Sequence, residues 1–224
     1  MSCPYDSWEP PTIAFCERRL CGWIAEPANA ASNIIFLLVA GYLWTGYRTR
    51  HGALAGVTVG AFLIGIGSFL FHATATRAGE VLDLSAMYIF SSLFVAFNAK
   101  RLWRLENRAT LGVLCALWAL SVVALVASGT SGIAIFIAEL VFALGCEVRL
   151  FQRDQRGVRY RSFFALISLF ALSYFAWNMD YWRVWCDPDN HVFTGHAFWH
   201  VANGLCLGLF YDFHRQFHGE SQTA

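Results

Sequence analysis

Residues 55–75 read AGVTVGAFLIGIGSFLFHATA. The run holds no Asp, Glu, Lys or Arg. It is long enough, as a helix, to cross the hydrocarbon core of a bilayer, for which about 20 mostly apolar residues suffice. Near its end stand Ser68 and His72, four residues apart and so on one helix face. Outward from this run, similar apolar stretches lie near residues 29–47, 81–98, 109–128, 132–150, 162–179 and 194–212. The third, sixth and seventh in chain order are the least purely apolar. Seven spans use most of a 224-residue chain and leave no room for a separate soluble domain.

Composition agrees. Apolar residues make up 57% and charged residues 14% of the chain, against roughly 45–50% and 25% in soluble domains. Too few charges are present to cover a water-facing surface. A net charge of +1 offers no field for a phosphate backbone, so nucleic acid is excluded as a partner. The expected fold class is all-α: a single seven-helix membrane domain over 1–224, with an N-terminal segment over 1–28 and a tail over 213–224. The first 27 residues lack the apolar core of a signal peptide and read as an ordered, Trp-bearing segment on the membrane surface.

Basic residues set the orientation. On one side fall Arg48, Arg50, Lys100, Arg101, Arg104, Arg108, Arg149, Arg153, Arg156, Arg159, Arg161 and Arg215. On the other fall Arg18, Arg19, Arg77 and Arg183. The positive-inside rule then puts the C-terminus in the cytoplasm and the N-terminus outside. Cys3, Cys16, Cys21 and Cys186 lie on the outer side, where a disulfide persists. Cys115, Cys146 and Cys206 lie within spans. Cys16 with Cys186 is the preferred pair, Cys21 being the alternative partner.

Ionisable residues inside spans are functional candidates. His72, Asp83, Asp180, His196 and His200 come from four spans and share the outer-leaflet depth. His196 and His200 are spaced i, i+4 in HAFWH, as a helix offers two ligands to one metal. With His72 they make three imidazoles and leave a tetrahedral position open, which suits a catalytic zinc. No Glu follows His196 as in HExxH, so Asp83 is the candidate base. Ser68 can donate to a developing oxyanion. Blander readings stand beside these. A HxxxH pair can be two hydrogen-bonded histidines, and Ser68 can bond its own helix. Asp180 either orients an imidazole or sits at the water interface. Glu139, near mid-membrane, either pairs with another polar group or stays protonated. His51, His191, His214 and His218 read as solvated, and the Arg-rich loops as topology signals that touch anionic lipid heads.

At these residues the chain resembles the alkaline ceramidase family of seven-span hydrolases. Three blocks carry the likeness: IAEPANAASN over 24–33, GIGSFLFHATATRAGEVLDLSAMY over 65–88, and WNMDYWRVWC with GHAFWH over 177–186 and 195–200. The resemblance implies zinc on His72, His196 and His200, with Ser68 and Asp83 acting beside it, and a Cys16–Cys186 disulfide. It also implies a calcium site involving Glu17 and Glu26 in eukaryotic members. Here Ala14 and Phe15 replace the family's Asp-Trp pair, and Arg19 replaces a neutral ligand. Calcium needs several oxygen ligands, so it is expected to be absent or weak, with Glu26 paired to an arginine.

The implied activity is zinc-dependent hydrolysis of the amide of a ceramide-like N-acyl lipid drawn from the bilayer. The alternatives are an ester lipid hydrolase of the same architecture and a non-enzymatic receptor with a structural metal. A retinal-type photoreceptor is excluded, because the only lysine, Lys100, lies in a loop. The ratio of 15 Arg to 1 Lys suggests a GC-rich genome and a bacterial cytoplasmic membrane, with the endoplasmic reticulum or Golgi as the eukaryotic location.

Overall fold

A computed structural model describes residues 2–46, 52–129, 132–153 and 157–217. Among these residues there are helices and no strands. The helices are α1 (Pro27–Ser32), α2 (Ile34–Gly46), α3 (Gly52–Thr74), α4 (Arg77–Trp103), α5 (Asn107–Ser128), α6 (Ile133–Arg153), α7 (Arg161–Tyr181) and α8 (Gly195–Arg215). Each apolar run of the sequence became a helix, the first of them interrupted at Asn33. There the Asn33 side chain donates to the Asn29 carbonyl at 2.8 Å.

Among the described residues, five segments are long and apolar enough to cross a membrane: Pro27–Thr45, Leu54–Thr74, α4, α5 and α7. The helix is the natural spanning form because it satisfies its own backbone polar groups. α6 and α8 are of comparable length but more polar. α6 carries Glu139, Glu147 and Arg149, and α8 carries His196, His200, Asn203 and Asp212. Of the orienting charges, Arg48, Arg50 and Arg156 lie outside the described residues, as do His51, His218 and most of the 213–224 tail.

The chain forms two compact units. One is Met1–Asp83 with Arg159–Ala224, the other Leu84–Val158. In the first, α8 is the central helix and packs on α7, α2, α1 and α3. The N-terminal segment is strapped across this unit. Ala25 and Glu26 donate backbone N–H bonds to the carbonyls of Ala73 and His72, at 2.8 and 3.0 Å. Thr12 donates its N–H and hydroxyl to the buried Glu80 carboxylate. Cys16 is disulfide-bonded to Cys186. Cys21 is bonded to Cys3 and so is not the partner of Cys186.

In the second unit a buried carboxylate is met by hydroxyls. Glu139 of α6 accepts hydrogen bonds from Ser91 and Ser92 of α4 and Ser121 of α5. This realises the paired reading of Glu139, with hydroxyls as the partners.

Two histidines depart from the solvated reading. His214 is fully buried in the last turn of α8, with Nδ1 against the Phe210 carbonyl at 3.1 Å. The residue falls on the inward face of α8, which carries on the i, i+4 series of Phe210. His191 is half-buried, with Nδ1 at 2.9 Å from Glu17.

The candidate metal and catalytic site

The site begins with how α8 starts. Thr194 is its N-cap, and its hydroxyl accepts from the Ala197 N–H at 2.8 Å. An N-cap hydroxyl satisfies one of the donors that a helix leaves open at its start. Asp180, at the end of α7, satisfies others: its carboxylate accepts the backbone N–H of His196 at 3.1 Å and of Cys16 at 2.9 Å. Asp180 is therefore neither at a water interface nor against an imidazole. It joins α7, α8 and the N-terminal strap through backbone bonds, and it is 1% exposed.

The close approach of α7 and α8 requires Gly195. A Cβ there meets the Ala176 carbonyl oxygen at 2.7 Å and Asp180 Cβ at 2.9 Å. Gly195→Ala is expected to destabilise the protein by about 1–3 kcal/mol, seen as a lower Tm in detergent. Gly67 does the same for α3 and α4. Its Cβ would lie 3.0 Å from the Leu82 carbonyl oxygen and 3.3 Å from Asp83 Cα. That contact sets the α3 face beside Ser68 against the start of α4, which carries Asp83.

Fixed this way, α3 and α8 bring His72, His196 and His200 together. All three are buried, and their candidate ligand nitrogens lie within 4.8 Å of one another. His72 Nε2 and His196 Nε2 are 3.1 Å apart. The remaining nitrogens show why these atoms face inward. His72 Nδ1 is held by Glu26 at 2.7 Å, and His200 Nδ1 by the Ser32 hydroxyl at 2.7 Å. A metal-ligating histidine usually binds a carboxylate or another polar group through its second nitrogen, which fixes tautomer and ring orientation. His196 Nδ1 is buried without a hydrogen-bond partner. Its ring is instead covered by Phe15, with centroids 3.6 Å apart and planes at 30°. Ser68 lies 3.3 Å from His200 Nε2. The donor set is thus three buried imidazoles close enough together to hold one metal ion, and it fits a zinc-type ion.

The carboxylates named for calcium are committed elsewhere. Glu17 accepts the backbone N–H groups of Ala28 and Asn29 at 2.8 and 2.9 Å, and it also faces His191. It serves as the anion at the start of α1. Glu26 faces His72, Asn29 Nδ2 at 3.3 Å and Arg19 Nε at 3.4 Å. Burial pushes the Glu26 carboxyl up, but the hydrogen bond and charge of His72, with Asn29 and Arg19, outweigh it and hold it below its ordinary value. Both acids face N–H donors and an imidazole, with Arg19 also on Glu26, rather than further oxygens, an arrangement that does not fit calcium.

The sequence reading did not single out Ser32, Thr194 or the stacking role of Phe15. Thr194 carried a legible sign, an N-cap hydroxyl just before a helix. Ser32 carried none, because its contact spans a separation of 168 residues.

The sequence profile of the Ceramidase family matches residues 9–221. A protein of Drosophila melanogaster named "Alkaline ceramidase" is 26% identical over 195 residues, 80% of this chain. The matched part is 66% of that relative, so the chain spans just under two thirds of its length. A match that takes in the strap, both disulfide partners of Cys16–Cys186 and every residue of the histidine cluster establishes that this chain belongs to the Ceramidase family.

Proposed function

We propose that the protein is a zinc-dependent membrane amidase that splits a ceramide-like N-acyl lipid into a fatty acid and a sphingoid-type amine. The observation that carries this reading is the convergence of three buried imidazoles with Ser68 against one of them and Asp83 on the adjoining start of α4, in a chain of the Ceramidase family. The arrangement supports both a metal and an acid–base group for amide hydrolysis.

His72, His196 and His200 hold the zinc, and Glu26 and Ser32 orient two of them. Bound zinc supplies Lewis acidity, which acidifies water and polarises a carbonyl. Asp83 accepts a proton from the water as its oxygen bonds to the amide carbon. The Ser68 hydroxyl donates to the carbonyl oxygen while negative charge builds there. Asp83 then returns the proton to the leaving nitrogen as the C–N bond breaks, one group serving both steps. Asp180 has no part in the chemistry. It anchors the start of α8, and with Cys16–Cys186 it holds the N-terminal strap over the site.

α1 with α2 counts as one span, and α6 and α8 complete seven. The excess of basic residues on one side supports an N-terminus outside, a cytoplasmic C-terminus and a site in the outer leaflet. α4 runs through both units, which supports one membrane domain over 1–224. Calcium has no role in this reading.

The test is the protein purified in detergent, assayed for metal and for amine release from ceramides, beside the matching ester analogues. About one zinc per chain and amide hydrolysis that a strong chelator abolishes are expected. Amine release unchanged after zinc is removed overturns the mechanism, and fatty-acid release from the ester analogue alone favours an ester hydrolase. Glu26→Gln keeps shape but removes the charge behind His72. It is expected to weaken zinc binding by about 10- to 100-fold, measured by competition with a chelator of known affinity.

A further inference from the structure

A cleft of about 470 Å³ opens beside the histidine cluster, between α1, the segment before α8, and α8 itself. Ala28, Ala31, Ser32, Val192, Phe193 and Val201 line it. The size falls within the roughly 300–1,000 Å³ of small-molecule sites. Two features tie the cleft to the chemistry. Ser32 is part of its wall and bonds His200 at 2.7 Å. Ala197, also in the wall, lies on α8 between the two ligating histidines. The cleft wall therefore reaches the cluster through Ser32, and apart from His191, whose Nδ1 faces Glu17, the remainder is methyl, methylene and ring surface.

A second approach to the cluster is closed. Phe15 is 5% exposed and lies on His196, with Phe71 and Trp177 around it. The disulfide of the next residue, Cys16, keeps it there. Ala28 and Ala31 are small where the cleft needs depth, whereas Val192 and Phe193 at its mouth are 87% and 66% exposed. Apolar side chains so exposed in a membrane protein belong against hydrocarbon.

We propose that this cleft takes one hydrocarbon chain of the N-acyl lipid and so sets the chain-length preference of the enzyme. The occupant is a lipid chain because eight of the ten lining side chains are apolar, and the two polar ones, Ser32 and His191, are already bonded to His200 and Glu17. The proposal rests on the amidase reading for its substrate, and the experiment separates the two.

Ala31→Trp and Val201→Trp place bulk at exposed wall positions without touching the histidines. The ratio of kcat/KM for palmitoyl over hexanoyl amides is expected to fall about tenfold in each, since fewer methylenes can be buried. An unchanged ratio overturns the proposal, whatever the absolute rate. A palmitoyl amide bearing a diazirine gives a readout that needs no turnover. In the wild-type protein, irradiation should label wall residues around Ala31, Val192, Phe193 and Val201, and excess unlabelled palmitoyl amide should suppress it. Labelling only elsewhere, or labelling that competitor leaves untouched, overturns the cleft assignment. Competed labelling of the wall in a protein that releases no amine upholds the cleft and sinks the amidase reading instead.

Discussion

Asp83→Asn is expected to lower amide turnover by roughly 10²–10⁴-fold, the range that a positioned acid–base group contributes, while zinc stays bound. The carboxyl is buried, and it is not one of the three grouped ligands. Asn preserves its size, so the loss reports proton transfer rather than collapse. Steady-state kinetics and metal content on the same preparation make the measurement. If zinc leaves together with activity, Asp83 is a ligand and the base lies elsewhere. If turnover is unchanged, Asp83 has no catalytic part.

His196→Ala is expected to fail differently. It removes one of three nitrogens and leaves His72 and His200, too few for a closed zinc site. Zinc content should fall to a small fraction of the wild-type value. Turnover should drop by roughly 10³-fold or more, since a Lewis acid contributes several kcal/mol to the transition state. A cobalt-substituted sample adds a spectroscopic check, because loss of a nitrogen ligand changes the visible bands. Wild-type zinc content in His196→Ala would show that the metal is held by other groups. Together the two variants separate the metal from the proton carrier.

Much of this was legible in the sequence, for physical reasons. A bilayer forces long apolar runs to become helices, so the runs near 55–75 and 109–128 marked α3 and α5 within a few residues. Local periodicity placed His196 with His200 and Ser68 with His72, because i, i+4 residues share a face on any helix. What periodicity could not supply was the set of contacts made between distant segments. Glu26 reads as a match to a family calcium ligand with an arginine for partner, and Arg19 is there, yet the carboxylate also meets His72 across 46 positions. Asp180 reads as an acid at a span end, yet it binds the backbone of Cys16 across 164 positions. His214 reads as a tail residue because Arg215 and Gln216 follow it, yet helical geometry turns it inward. Phe15 could be read only as a departure from a family pattern, until the structure laid its ring on His196.

The first compact unit is drawn from both ends of the chain, and that has a consequence for biosynthesis. A nascent chain that has completed α3 and the start of α4 already owns Ser68, His72 and Asp83, but only one of the imidazoles. The stretch from Leu84 to Val158 must then be made before α7 and α8 can supply the rest. Cys16 waits for a partner 170 positions downstream. The three imidazoles can therefore meet, and the strap be latched through Cys16–Cys186, only when α8 has been made. A chain that stops short lacks two of the three imidazoles and the strap's partner cysteine, so the proposed site comes into being only at the end of synthesis.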